Sequence, residues 1–396
     1  MNTADLGRGK NMGKELRFFA ALLAVLLIIP AAGAAPLESG EPVSLSSPAA
    51  VLAETSTGTI IFEKNADEKR QVASITKLMT ALLLLEDINN GAISLTDQVT
   101  VSKNAASAKG SQALLDADAA YPLETLLQAT IMASANDAAI ALAEYAAGSE
   151  AAFVDRMNAR AAELGMTNTL YVNCTGLPQS GQYTTARDVA TLSCEVSKHP
   201  AYHKYSSVWI DTLKHPSGRT TDLTNTNRLV RFYEGCDGFK TGSTDEAKFC
   251  VSATAEKNGM RLVAIILGNP KSQARFDDAR AMLDYGFATY RRVTIAREGD
   301  LLGQQVPVKR GSRDMVDTAL GSGLSMLLRT GQEKQLAMEV ELPESVQAPI
   351  MKGDTLGTVR ILLDGKVIAK MNCVAAQDVR LPGFMEGFMK ILDAWR

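Results

Sequence analysis

The sequence predicts an α+β protein: an antiparallel sheet covered by helices, followed by a small all-β domain. Three observations carry this. The clearest strands sit at the two ends of the segment 48–290, around residues 50–64 and 238–268, with a large helical block between them. Asn258-Gly259 is a two-residue hairpin turn, the kind that joins neighbours in an antiparallel meander. From Arg291 to about Arg380 the chain changes to short alternating segments, the pattern of a small β domain.

Each element follows in order. Arg8, Lys10, Lys14 and Arg17 form a basic region, and 18–29 is an apolar run too short to span a bilayer. Pro30 breaks that run, and Ala32-Gly33-Ala34 gives the small-x-small pattern of a cleavage site. Residues 1–34 are therefore expected to be an export signal, the alternative being an uncleaved anchor. A Pro/Ser/Glu-rich linker is expected over 35–47. Residues 50–64 read as a hairpin turning at 56–58, then Ile60-Ile61-Phe62. Residues 74–85 read as a helix apolar nearly all round, which is normally buried. Pro122 opens a helical stretch to about Ala147, interrupted near Ser134. Strands are expected at 238–242, 248–256 and 261–268, and a helix at 277–290.

The β domain is placed at 291–380, with segments at 306–308, 338–342 and 358–372, the last folding about Asp364-Gly365. In 381–396, Phe384, Met385, Phe388, Met389, Leu392 and Trp395 fall on one helical stripe. Two readings fit that stripe: a helix lying in a membrane surface, or a terminal helix docked on its own domain.

Composition excludes several function classes. A net charge of -3 and a pI near 5.8 argue against nucleic-acid binding, which needs a basic surface. There are three histidines, His199, His203 and His215, and the first two flank Pro200. A catalytic zinc site wants several imidazoles on a rigid element, so no metal is expected and all three are read as loop histidines. A histidine-based serine triad is short of candidates for the same reason. The five cysteines are odd in number with no CxxC pair, so no disulfide is specified, and most are expected as buried free thiols.

Three short motifs carry chemistry. In Ser74-Ile75-Thr76-Lys77, positions i and i+3 of a helix lie one above the other, which brings the amine within reach of the hydroxyl. A hydroxyl becomes a useful nucleophile when a neighbour takes its proton. A lysine does so only when neutral, which requires burial or a nearby positive charge. Alone, the pattern also describes a solvated lysine one turn into any helix. In Ser134-Ala135-Asn136, at the interhelical interruption, Ser134 is placed to pass a proton to a leaving nitrogen and Asn136 to hold a substrate amide. Alone, it reads first as a simple helix cap. In Lys240-Thr241-Gly242 at a strand end, followed by Ser243, a lysine beside a hydroxyl suits a substrate carboxylate. Gly242 is expected to let a substrate backbone approach the strand.

S-x-x-K, S-x-N and K-T-G, in that order on helix, interhelical turn and strand, are the set of β-lactamases and penicillin-binding proteins. Together with stretches such as "MNARAAELGMTNTLYVNCTGLP" and "YTTARDVATLS", the chain resembles serine-type D-alanyl-D-alanine carboxypeptidases, the low-molecular-mass penicillin-binding proteins. The resemblance is close over 48–290 and looser beyond.

It implies a β-lactamase/transpeptidase-like catalytic domain and a peptidoglycan stem peptide ending in D-Ala-D-Ala as substrate. By this resemblance Ser74 attacks the terminal peptide bond, Lys77 is the base, and Ser134 relays the proton to the departing D-alanine. Lys240 and Thr241 then bind the terminal carboxylate, with Arg275 assisting, and the backbone N–H groups of Ser74 and Ser243 form the oxyanion hole. It also implies inhibition by β-lactams, no cofactor, and a C-terminal helix holding the enzyme at the outer face of the cytoplasmic membrane.

Two positions depart from the family pattern: Val72 stands where proline is usual, and Ala135 where glycine is frequent. Rival readings are a class A-like β-lactamase, with Glu163 the tempting deacylating residue, and a catalytically silent wall-binding scaffold. A zinc-dependent D-Ala-D-Ala peptidase is disfavoured by the histidine count.

Overall fold

The structure, a computed structural model, describes residues 43–394. The expected export signal, the first part of the expected linker, and Trp395 of the C-terminal stripe lie outside the described residues. Residues 43–47 differ from a linker. Val43, Leu45 and Ser47 are buried, and Ser47 donates to Asp278 from both its N–H (2.9 Å) and its hydroxyl (2.5 Å). The packed chain therefore begins before residue 48.

Strands β1 (Ala49–Glu54) and β2 (Ile60–Lys64) form the expected hairpin. A single 3-10 turn, Ala73–Thr76, leads into α1 (Lys77–Asn89), which runs four residues beyond the expected end. Its residues Lys77 through Leu85 are all buried, and each large apolar side chain so placed contributes about 1.5–3 kcal/mol. Next come β3 (Gln98–Thr100), α2 (Lys103–Ala106) and β4 (Ala120–Pro122). Pro122 thus closes a short strand, and the helix α3 (Leu123–Met132) starts one residue later. The expected interruption at Ser134 separates α3 from α4 (Asn136–Ala147).

Helices α5 (Glu150–Glu163), α6 (Ala186–Val196) and α7 (Pro200–Ser206) complete the helical block. A hairpin of β5 (Ile210–Lys214) and β6 (Thr220–Thr224) and the short α8 (Leu229–Phe232) follow. Then come the meander β7 (Cys236–Thr244), β8 (Lys248–Lys257) and β9 (Met260–Asn269), and α9 (Ser272–Thr289). Asn258 and Gly259 both have positive φ, 53° and 72°, as the turn between β8 and β9 requires.

The main sheet has the order β2-β1-β9-β8-β7, so the first and last parts of the segment meet where β1 pairs antiparallel with β9. Alternation along β1 feeds two cores. Ala49, Val51 and Ala53 face the block of α1 to α7, whereas Ala50 and Leu52 face α9 with Phe276, Met282 and Leu283. Because both faces are covered, β9 carries the nearly continuous apolar run Leu262–Leu267, buried throughout.

The chain continues into β10 (Tyr290–Ala296), β11 (Leu301–Lys309), β12 (Met315–Leu320), β13 (Leu324–Arg329), β14 (Leu336–Glu341), β15 (Val346–Gln347), β16 (Thr355–Leu363) and β17 (Lys366–Ala375). These form a six-stranded sheet ordered β14-β16-β17-β12-β11-β15 and a separate pair β10-β13. The Asp364-Gly365 turn joins β16 to β17. This is the α+β arrangement with a following β domain that the sequence predicts. The last described element is α10 (Phe384–Ala394), on which Phe384, Met385, Phe388 and Met389 are exposed. Among the described residues no helix is long and apolar enough to cross a membrane.

Candidate active site

The three motifs converge although they lie far apart in sequence. Ser74 sits in the 3-10 turn, after Ala73, whose φ is 50°. Lys77 is the first residue of α1 and is 1 % exposed. Its Nζ lies 3.0 Å from Ser74 Oγ, 2.5 Å from Asn136 Oδ1 and 2.7 Å from the carbonyl of Thr175. Burial pulls the amine down to about 7, against the fields of Cys174 and Asp137, which raise it.

Asn136 opens α4 and is itself fixed. Its Nδ2 donates to the Lys109 carbonyl at 2.5 Å and its N–H to the Ser111 carbonyl at 2.7 Å. Asp137 beside it accepts from the N–H groups of Ala113 (3.0 Å) and Leu115 (3.1 Å), so the interhelical turn and the 109–115 loop are one unit. Ser134 has a φ of 61°, and its buried hydroxyl has no hydrogen-bond partner among the described residues. An unpaired buried hydroxyl is costly unless a partner arrives with a ligand.

Lys240, Thr241, Gly242 and Ser243 lie on β7, the edge strand next to the Ser74 turn. Lys240 is buried, with its Nζ 3.4 Å from the Thr241 carbonyl. Burial first, then the charges of Lys77 and Arg275, hold its amine well below the ordinary lysine range. Thr241 Oγ1 donates to Thr226 Oγ1 at 2.7 Å, and Ser243 is exposed.

Gly242 is explained differently from the sequence expectation. A Cβ there would lie 2.3 Å from the Val72 carbonyl oxygen and 3.0 Å from the Ser74 nitrogen. Its missing side chain admits the protein's own nucleophile turn. Arg275 approaches from α9. Its guanidinium is buried and donates to the carbonyls of Gly242 (3.1 Å) and Cys250 (3.3 Å), and burial lowers it to about 10.

One functional segment was given no role in the sequence reading. Asn173 Oδ1 accepts from the N–H groups of Thr175 (3.2 Å) and Gly176 (2.7 Å), an Asx turn that aims the Thr175 carbonyl at Lys77. Gly176, with φ 81°, lies against the turn of Ser74: a Cβ there would fall 1.9 Å from the Ala73 carbonyl oxygen. The Asn-x-Thr-Gly run of 173–176 is the signal that marks it.

Of the three histidines, His199 and His215 lie in loops as expected, and His203 does not. His203 lies in α7, with Nδ1 3.0 Å from an Asp237 carboxylate oxygen, and His215 is buried at the β5–β6 turn. Glu86, Glu195 and His199 are close enough to share an ion, but Arg160 already bridges the two carboxylates at 2.8 and 3.5 Å. All five cysteines are free.

Comparison with known proteins gives a consistent picture. Residues 36–271 match the family model described as D-alanyl-D-alanine carboxypeptidase. Residues 290–380 match that of the penicillin-binding protein 5 C-terminal domain. The D-alanyl-D-alanine carboxypeptidase DacF of Bacillus subtilis is 34% identical over 378 residues, which covers 94% of this chain and 97% of that one. DacC of Escherichia coli is 33% identical over 383 residues, 93% of each. Among solved structures, penicillin-binding protein 5 from Haemophilus influenzae aligns with a TM-score of 0.72 at 28% identity, covering 85% of this chain and 98% of that one.

Proposed function

The chain belongs to the D-alanyl-D-alanine carboxypeptidase family, and we propose that it removes the terminal D-alanine of peptidoglycan stem peptides through an acyl-enzyme on Ser74. The observation that carries this reading is the buried Lys77 amine 3.0 Å from Ser74 Oγ, lowered to about 7. A neutral amine has two hydrogens and one lone pair. Asn136 Oδ1 and the Thr175 carbonyl accept the two hydrogens. The lone pair is then left for the Ser74 O–H, which is the arrangement a general base needs.

Ser74 Oγ attacks the carbonyl between the last two D-alanines as Lys77 takes its proton. The backbone N–H groups of Ser74 and Ser243 hold the oxyanion, each such donor supplying about 3–4 kcal/mol. The C–N bond then breaks as Ser134 passes its proton to the departing amine and receives in its place the one Lys77 took from Ser74, which leaves Lys77 neutral for the next step. The unpaired Ser134 hydroxyl supports this relay. Lys240 and Thr241 bind the substrate's terminal carboxylate. Arg275, bonded to the Gly242 carbonyl, supports the strand that carries them. Lys77 then takes a proton from the water that attacks the acyl carbonyl and passes it to Ser74 Oγ as the ester C–O bond breaks, which restores the serine hydroxyl and the neutral amine. β-Lactams acylate the same oxygen and leave slowly.

Glu163 gives a β-lactamase reading no support: it ends α5 with a side chain 64% exposed, paired to Arg160 at 3.1 Å. We assign catalysis to residues 48–290 and a separate β domain to 291–380. The reading places the enzyme outside the cytoplasm, exported by residues 1–34. The exposed Phe384, Met385, Phe388 and Met389 on α10 favour a helix resting in the membrane surface. The test is release of D-alanine from diacetyl-Lys-D-Ala-D-Ala. Wild type should release it and Ser74→Ala should not; equal release by both would refute the assignment.

A further inference from the structure

We propose that Arg219, in the β5–β6 hairpin, is a positioning residue for the reaction: it clamps the 109–118 loop in the register that keeps the Asn136 carboxamide on Lys77. The inference rests on the function proposed above.

The contacts form a continuous path. Arg219 donates from one guanidinium nitrogen to the Leu114 carbonyl (2.5 Å) and an Asp116 carboxylate oxygen (2.7 Å). Ser217, in the same hairpin turn, donates to the other Asp116 oxygen at 2.6 Å. The Asp116 N–H donates to Tyr121 Oη at 3.0 Å, and that hydroxyl lies 2.8 Å from His215 Nδ1. Arg219 is also 3.2 Å from this Nδ1. On its other side the ring places Nε2 2.8 Å from Thr221 Oγ1. His215 is therefore a buried pin between the hairpin and the loop.

From the other side the same loop is tied to the site. Asp137 accepts the N–H groups of Ala113 and Leu115, the two neighbours of Leu114. Asn136 donates to the carbonyls of Lys109 and Ser111 and presents its own oxygen to Lys77. Leu114 and Asp118 have positive φ, 60° and 63°, and Leu114 is 54% exposed. Such backbone persists only where its surroundings hold it. An ion pair as exposed as Arg219–Asp116 contributes little to global stability. Its effect is therefore expected in the geometry of the loop, not in whether the chain folds.

The test compares full-length wild type, Arg219→Ala, Arg219→Lys and the control Arg360→Ala, which removes a similar exposed pair in the β domain. Acylation by benzylpenicillin is followed against pH, with thermal stability measured alongside. Loosening Asn136 lets water reach Lys77. Arg219→Ala should therefore acylate about tenfold more slowly at pH 7, with the rising limb moved up by at least about half a pH unit. Arg219→Lys, which reaches one acceptor but not both, should fall between, and Arg360→Ala should match wild type. Unchanged acylation and an unmoved limb in a folded Arg219→Ala would overturn the proposal, as would loss that tracks thermal stability alone across the variants. If wild type is not acylated, the proposed function fails instead.

Discussion

Gly242 and Val72 meet so closely that a methyl group cannot stand between them: a Cβ on Gly242 would lie 2.3 Å from the Val72 carbonyl oxygen. The edge strand β7 and the turn carrying Ser74 can approach this closely because Gly242 has no side chain. The same residue pair contains one of the family departures, since Val72 replaces the usual proline. The contact is made by a backbone carbonyl, which both residue types possess, so it does not depend on which of them stands there.

Gly242→Ala should therefore separate the strand from the nucleophile turn. Overpacking of this kind costs about 1–3 kcal/mol, and misplacement of the oxyanion donor at Ser243 should slow acylation by about a hundredfold. Urea denaturation and the rate of penicillin acylation measure the two effects separately.

Acylation should rise with pH through about 7, the value to which burial lowers Lys77. Arginine cannot give up its proton in this range. Lys77→Arg should lose about 100- to 10,000-fold in acylation rate and show no such limb. Stopped-flow acylation across pH 5 to about 9 checks both, and a limb retained in Lys77→Arg would point to a different base.

The same burial makes stability depend on pH. The folded amine titrates near 7 and the unfolded one near 10.5, so between these values the unfolded chain binds the additional proton. Stability then rises with pH across that window, by at most about 1.4 kcal/mol per unit. Below about 7 both states are protonated and the penalty is full. Denaturation of wild type and Lys77→Met at several pH values should show the difference shifting towards wild type as pH rises. A constant difference would contradict a neutral buried lysine.

Asn173→Ala removes the acceptor for the N–H groups of Thr175 and Gly176. Leaving such groups unpaired costs about 1–3 kcal/mol. The Thr175 carbonyl should drift from Lys77, lowering the acylation rate more than tenfold (roughly a 1.4 kcal/mol effect). Circular dichroism melts alongside acylation kinetics separate folding from geometry, and unaltered kinetics would remove the Asx turn from the account.

Much of this was legible in the sequence for definable reasons. Short apolar runs marked the β8 and β9 strands, and Asn258-Gly259 fixed their turn, because those signals are local. The motifs located Ser74, Lys77, Ser134 and Lys240, but their convergence depends on pairing between β1 and β9, more than 200 residues apart. Arg219 escaped because it acts through a backbone carbonyl of a distant loop, where no residue type records the bond; the turn at Asn173 is local, but only the fold brings the Thr175 carbonyl it aims to Lys77. At Gly242 a sequence shows that a side chain is missing, not that the Val72 carbonyl is a neighbour that needs the space. Helix α6 was overlooked even though its apolar face is buried and Thr185 caps it.

The most direct measurement is intact-mass analysis of the protein with benzylpenicillin, followed by mapping of the modified peptide. The account predicts a single long-lived adduct of one penicillin on Ser74, absent in Ser74→Ala. Rapid penicillin turnover without a lasting adduct, or an adduct on any other residue, would contradict it.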